Sequence, residues 1–268
     1  MTRIASLFSR LAAARRRALV PFVTAGDPSL ESTVLVMHAL VAGGADLIEL
    51  GVPFSDPMAD GPVIQRSSER ALARGVNTSR VFEFVREFRL QDAVTPVVLM
   101  GYLNPVEMRG AQAYAVAAAE AGVDGLLLVD LPAEEAAPIR AALNGQGIDL
   151  ISLAAPTTSG DRLATLAGGA QGYLYYVSLA GVTGASIADP AAVAAKMAVL
   201  RGLCRVPVLI GFGIKDAASA AAMGGLADGI VVGSALVEHL STAASAQEAS
   251  QRATAFLAPL RAALDALP

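Results

Sequence analysis

The chain has 268 residues, of which 54% are hydrophobic and only 16% charged, with a net charge of -4. Such a chain can bury a large core and is not disordered, and its acidic balance argues against nucleic acid as the main partner. No apolar run is long and unbroken enough to cross a membrane, and one cysteine (Cys204) with two distant histidines (His38, His239) leaves no disulfide framework and no expected metal cluster.

The first nineteen residues carry Arg3, Arg10, Arg15, Arg16 and Arg17 and no acid. Two readings fit them. One is an organellar transit peptide; the other is an amphipathic first helix, with Ile4, Leu7, Phe8 and Leu11 at helical spacing. Leu19–Thr24 is apolar and ends in Gly26-Asp27-Pro28, which reads as a strand and loop. Ser29 can N-cap a helix running to Ala42, stopped by Gly43-Gly44. The second strand is Asp46–Leu50. After its loop a helix covers Val63–Arg74, closed by Gly75, and Thr78 caps another through Phe88. Pro96–Met100 is the third strand, followed by Gly101–Pro105 as loop and an alanine-rich helix at Ala111–Ala121. Gly125–Val129 and Asp149–Leu153 are strands four and five, with a helix over Glu134–Leu143 between them. The loop Pro156–Gly160 leads to a short helix ending near Gly168-Gly169. Tyr173–Val177 is the sixth strand, Ser178–Asp189 a long polar loop, and Pro190–Leu200 a helix. Val206–Ile210 and Gly229–Val232 are the last strands, with helices at Asp216–Met223, Ala235–Leu240 and Ala246–Ala263.

The strands are short, apolar throughout and rich in Val, Ile and Leu, as parallel strands buried on both faces are. Strand and helix alternate eight times, so the expected fold is a (β/α)8 TIM barrel forming one domain over residues 1–268, with an extra N-terminal helix and extra helices in the loops. A doubly wound open sheet is the alternative, but no Gly-rich dinucleotide fingerprint follows strand one.

In such a barrel the chemistry lies at the C-terminal ends of the strands. Leu47–Gln65 reads LIELGVPFSDPMADGPVIQ. It places Glu49 inside an apolar strand end, where a carboxylate is costly unless it has a partner or a task. Asp60 follows on the loop, and two acids in unlike surroundings are the raw material for dividing acid and base roles. Asp56 and Asp60 by themselves are ordinary turn-formers; Glu49 is not. Burial would hold the proton on Glu49, whereas Asp60, on a polar loop, is expected to stay ionised. Gly211-Phe212-Gly213 after strand seven and Gly233-Ser234 after strand eight favour a phosphate site, because glycine backbone and helix N-termini present N–H groups to an anion. Gly181–Gly184 can extend that rim. Phe22, Leu99 or Met100, Leu127, Leu153, Tyr175 and Phe212 form a wall of large apolar groups, either barrel core or the bed of a flat hydrophobic substrate. Thr183, on the residues alone, is a simple turn residue.

The segment ELGVPFSDPMADGP resembles the signature of the tryptophan synthase alpha chain family, and VPFVTAGDP, LMGYLNP, VDLP, VTGA, GFGI and GSALV follow in that family's order and spacing along nearly the whole chain. The resemblance implies a barrel lyase that cleaves indole-3-glycerol phosphate to indole and glyceraldehyde 3-phosphate without a cofactor of its own. It matches the acid and base to Glu49 and Asp60. It implies a substrate bed of Phe22, Met100, Leu127, Leu153, Tyr175, Thr183, Gly184, Phe212, Gly213, Gly233 and Ser234, with mobile loops at Pro53–Asp60 and Leu179–Ala188. It further implies a beta-chain partner in an alpha2beta2 heterotetramer, with pyridoxal phosphate in that partner, and a cytoplasmic location. The family begins with a helix under the barrel, which favours the amphipathic-helix reading of the N-terminus. Leu179-Ala180 and Ser186 depart from the pairs and the Arg frequent in relatives, which bears on closure of that loop rather than on the reaction. Three other readings are an indole-glycerol phosphate synthase or phosphosugar isomerase, a lyase that works alone, and a subunit that only activates a beta chain. A synthase would want lysines at strand ends, and only Lys196 and Lys215 exist. Glu49 and Asp60 together argue against a purely activating subunit.

Overall fold

In the computed structural model the elements run α1 (Arg3–Ala13), β1 (Ala18–Thr24), α2 (Ser32–Ala42), β2 (Ile48–Gly51), α3 (Pro62–Ala73), α4 (Thr78–Arg89), β3 (Val97–Gly101), α5 (Leu103–Arg109), α6 (Ala111–Ala121) and β4 (Gly125–Leu128). A 3-10 turn (Ala133–Glu135) then leads to α7 (Ala137–Asn144), β5 (Asp149–Ala154), α8 (Gly160–Gly169), β6 (Leu174–Val177), α9 (Pro190–Leu203), β7 (Val208–Gly211), α10 (Ala217–Gly224), β8 (Gly229–Val232), α11 (Ser234–Ser241) and α12 (Ala246–Asp265). The structure describes residues 1–158, 160–177, 190–211 and 213–268.

The eight strands are parallel and close in chain order, with β1 hydrogen-bonded to both β2 and β8. This is the expected (β/α)8 barrel, and the open-sheet alternative is excluded. Side chains alternate between the two faces of each strand, and the two apolar clusters record it. Ile48, Leu50, Val97 and Leu99 belong to the layer between strands and helices. Leu47, Val98, Leu127, Ile151, Tyr173 and Leu209 fill the barrel interior. Helix α1 supplies Ile4, Leu7, Phe8 and Leu11 to that same interior cluster, so the arginine-rich N-terminal segment folds as a plug under the barrel, its apolar stripe buried.

Local starts and stops follow familiar chemistry with a few corrections. Pro62 stands at the first position of α3, where a missing N–H costs nothing. Ser29 and Ser32 bond each other's backbone N–H groups reciprocally at the entry to α2, although the regular helix begins only at Ser32. Helix α4 is capped by Asn77, whose Oδ1 accepts the Arg80 N–H at 3.1 Å, and not by Thr78, which is already helical. Leu103–Pro105, expected as loop, opens α5, because Asp130 Oδ1 accepts the Leu103 N–H at 2.8 Å and caps that helix from the neighbouring loop. A proline in the first helical turn is no obstacle.

Candidate active site

Glu49 lies on β2 between Ile48 and Leu50, both in the outer layer, so the pleat points its carboxyl into the barrel. It is fully buried. Tyr173 Oη donates a hydrogen bond to Glu49 Oε1 at 2.5 Å, while Oε2 has no partner among the described residues. Burial raises the Glu49 carboxyl from 4.5 to about 7, with the Tyr173 bond pulling the other way. A hydrogen bond to the charged form favours it, but one donor does not offset complete desolvation. Tyr173 is itself fixed from below, its ring 6.0 Å from that of Phe8 in α1.

Above Glu49, at the C-terminal ends of β1 to β4, a cleft is lined by Phe22, Thr24, Gly51, Asp60, Met100 and Tyr102, among others. Gly51 is two residues beyond Glu49 on the same face, so the acid sits directly beneath this cleft. Phe22 is paired in register with Glu49, and Met100 with both Gly51 and Leu127. Leu99, the alternative to Met100, faces the helices instead. Asp60 reaches the cleft from the loop after β2. Tyr102 Oη donates to Asp60 Oδ2 at 3.0 Å and accepts the Ala59 N–H at 3.0 Å, and its ring stacks on Phe54 at 4.9 Å. Asp60, expected to stay ionised on a polar loop, is less open to solvent than that loop suggests. The residue is half-buried, and desolvation raises its carboxyl above the ordinary aspartate value, the Tyr102 bond opposing the rise.

The loops that carry these groups are tied to the frame. Asp27, after β1, is almost fully buried and receives two bonds of 2.7 Å from Arg70 of α3. Thr24 and Ser67 share a 2.7 Å bond between the same two elements. Helix α3 begins two residues after Asp60, and both contacts hold that helix, through its middle and last turn, against the end of β1.

The remaining expected residues divide into three groups. Leu127, Leu153 and Tyr175 face the same interior but do not line the cleft. Tyr175 is packed so tightly over Gly211 that a β-carbon there would overlap its ring. Gly213 and Gly233-Ser234 stand at the ends of β7 and β8. Gly213 has φ of +65° and open space where a β-carbon would go, while Gly233 precedes α11 with no side chain capping that helix. The leading N–H groups of α11 are therefore available to an anion. Thr183, Gly184 and Phe212 lie outside the described residues, as does the loop expected at Leu179–Ala188.

Sequence reasoning left out the two tyrosines that hold the acids. Tyr173 had a usable signal, since it is two residues from Tyr175 and must share its inward face. Tyr102 falls in the loop Gly101–Pro105 after the third strand, and its bond to Asp60 depends on how the Asp60 loop folds back. Among the described residues, no group of three or more His, Cys, Asp or Glu stands close enough to hold a metal ion, and no helix is long and apolar enough to cross a membrane. A roomier cavity, about 530 Å³, lies at the opposite end of the barrel and contains neither acid. The perturbed carboxyls, not cavity size, mark the candidate site.

Known proteins resemble the chain throughout. The sequence profile of the family described as Tryptophan synthase alpha chain matches residues 8–265. The protein called tryptophan synthase alpha chain in Xanthomonas euvesicatoria pv. vesicatoria is 64% identical over 266 residues, 99% of each chain, and that of Xylella fastidiosa strain M12 is 62% identical over 267 residues, the full length of both. A crystal structure of tryptophan synthase subunit alpha from Legionella pneumophila str. Paris superposes with a TM-score of 0.92 at 45% identity, covering 99% of both chains. One of tryptophan synthase from M. tuberculosis in an open form gives 0.87 at 34% identity over the full length of both.

Proposed function

The chain belongs to the tryptophan synthase alpha chain family and is a lyase of the alpha reaction, and from that premise we propose a mechanism for the cleavage of indole-3-glycerol phosphate in which Glu49 carries the proton and Asp60 steadies the ring. Breaking the bond between indole C3 and the glycerol carbon needs three linked events. C3 must gain a proton, the hydroxyl on the adjacent carbon must lose one, and the bonding pair must return to the ring as the C–O bond becomes C=O. The products are indole and glyceraldehyde 3-phosphate, and the atoms balance with proton transfers alone.

Glu49 gives its proton to C3. As a carboxylate it then takes the hydroxyl proton and returns to its starting state. A group near pH 7 is suited to both halves, because general acid–base catalysis is most effective when the pKa lies near the working pH. Asp60, ionised, accepts the indole N–H and favours the positive charge that protonation puts on the ring. Phe22 and Met100 hold the flat ring, and the backbone at Gly213, Gly233 and Ser234 takes the phosphate. Thr183, Gly184 and Phe212 complete that bed on the family resemblance. The observation that carries the reading is the fully buried Glu49, poised near pH 7 and oriented by Tyr173 beneath a cleft that holds a second carboxyl.

The residues form one domain, which works in the cytoplasm with a beta chain in an alpha2beta2 assembly. The beta chain holds pyridoxal phosphate and converts the released indole to tryptophan. The test is indole release from indole-3-glycerol phosphate with no added cofactor, measured with and without a beta chain. Equal amounts of indole and glyceraldehyde 3-phosphate, formed faster with the beta chain, support the reading. Cleavage that a beta chain never accelerates would point to a lyase that acts alone. Absence of cleavage under both conditions would refute the catalytic assignment.

A further inference from the structure

The arginine run Arg15-Arg16-Arg17 has no part in the chemistry above. It forms the turn between α1 and β1, at the N-terminal end of the barrel, and lines the cavity of about 530 Å³ there. Arg201 and Arg205, from the end of α9 and the segment before β7, line the same cavity. Five arginines therefore converge on one recess in a chain whose net charge is -4. Two of them are engaged. Arg16 Nε is 3.1 Å from Asp265, and Arg201 is 3.4 Å from Asp228, the one acidic side chain in the lining, which also includes the terminal residue Pro268. Asp228 also accepts the Val208 N–H at 2.8 Å, so its carboxylate is spoken for. The side chains of Arg15, Arg17 and Arg205 make no hydrogen bond or ion pair with the described residues, and Arg17 Nε is buried without an acceptor.

Two further features set this turn apart. Arg15 has φ of +53°, and it is the one non-glycine residue with positive φ among those described. A helix end of this kind is ordinarily given to glycine, so an arginine stands where the backbone prefers none. The recess also has an apolar side, with Phe8, Leu11, Val206 and Pro207 in its lining. Its volume falls within the range of small-molecule sites, which are mostly apolar with a few placed charges.

We propose that this recess is a second binding site, for the di- or triphosphate group of a small phosphorylated ligand, held by Arg15, Arg17 and Arg205. Arginine suits the task, since its planar fork meets phosphate oxygens in pairs. The site lies at the end of the barrel opposite Glu49 and Asp60, so it is separate from the substrate phosphate.

Cys204, the chain's only cysteine, lines the recess and reports on it. Burial and the nearby Asp228 push its thiol up, so maleimide labelling is run at mildly alkaline pH. Pyrophosphate at low salt is the probe. Labelling of Cys204 should slow as pyrophosphate fills the site. In the double variant Arg15→Gly/Arg205→Gln the concentration that protects should rise at least about tenfold, the scale of one lost charge-assisted bond. Arg15→Gly suits the left-handed backbone and Arg205 is exposed, so the fold should hold; Arg205→Gln alone gives the same trend should the pair misfold. Indole release should be unchanged in both variants. Failure of pyrophosphate to protect the wild-type thiol, or equal protection in wild type and both variants, would overturn the proposal without touching the active-site assignment.

Discussion

A buried acid held near pH 7 must weaken the fold wherever it is ionised, and Glu49→Gln exposes that cost. The folded carboxyl titrates at about 7 against an ordinary value of 4.5. Between these values the folded chain binds more protons than the unfolded one, so stability falls as pH rises through that window. The contribution is intact below 4.5 and fully lost above about 7. At 1.36 kcal/mol per pH unit the gap is worth about 3 kcal/mol. Glutamine has the same shape and no charge. Its protein should therefore melt with the wild type at pH 4 and above it at pH 8.5. For a chain of this size about 3 kcal/mol corresponds to roughly 6–12 °C. Calorimetric melting of both proteins from pH 4 to pH 9 reads the difference directly. Melting curves that stay parallel across this range, or a glutamine protein that is less stable at pH 8.5, would show that Glu49 is not a desolvated acid.

Three other outcomes follow from the same geometry. Tyr102→Phe keeps the stack on Phe54 but removes the bond that offsets the burial of Asp60; the Asp60 carboxyl should rise further and the acid limb of the kcat profile should move to higher pH, and an acid limb that stays in place would show that Tyr102 does not set this carboxyl. Gly233→Val should weaken binding of a glycerol phosphate analogue by blocking close approach to the start of α11 while changing the melting temperature little, since a β-carbon there meets Phe22 only at ordinary contact distance; equal binding in a titration would move the phosphate elsewhere. Asp56 is exposed and its carboxylate bonds only Ser55 Oγ among the described residues, so Asp56→Ala should leave cleavage by the isolated chain intact but reduce the acceleration on adding a beta chain, and by linkage weaken the effect of an active-site ligand on beta-chain affinity to the same degree; superimposable activation curves would clear this loop of any signalling role.

How much of this was legible in the sequence depended on whether local pattern or tertiary contact decided the outcome. The barrel was readable because each strand is a short apolar run with no polar face, which only a sheet covered on both sides tolerates. Glu49 was readable because nothing local explains an acid in such a run. Its inward direction needed the register, since Ile48 and Leu50 on either side are equally apolar and only the alternation tells them apart. The cap of α5 was invisible because its acceptor, Asp130, comes from the loop after β4, 27 residues away. Asp60 looked like a turn-former in water because its sequence neighbours are polar or small. What lowers its solvation is Tyr102 and the cleft wall, which arrive from other strands. Glycine placement suggested the proposed phosphate site at Gly213 and Gly233, and the start of α11 after Gly233 was legible with it, but the orientation of Tyr175 over Gly211 could be found only in three dimensions.

The most direct test is single-turnover indole release from indole-3-glycerol phosphate by folded Glu49→Gln, measured at pH 7 beside the wild type. General acid–base groups supply about 10²–10⁴-fold. The account predicts a loss on that scale, in a protein that melts no lower than the wild type at that pH. Release within a few-fold of wild type would show that the proton reaches C3 from another group, and the assignment of Glu49 would be wrong.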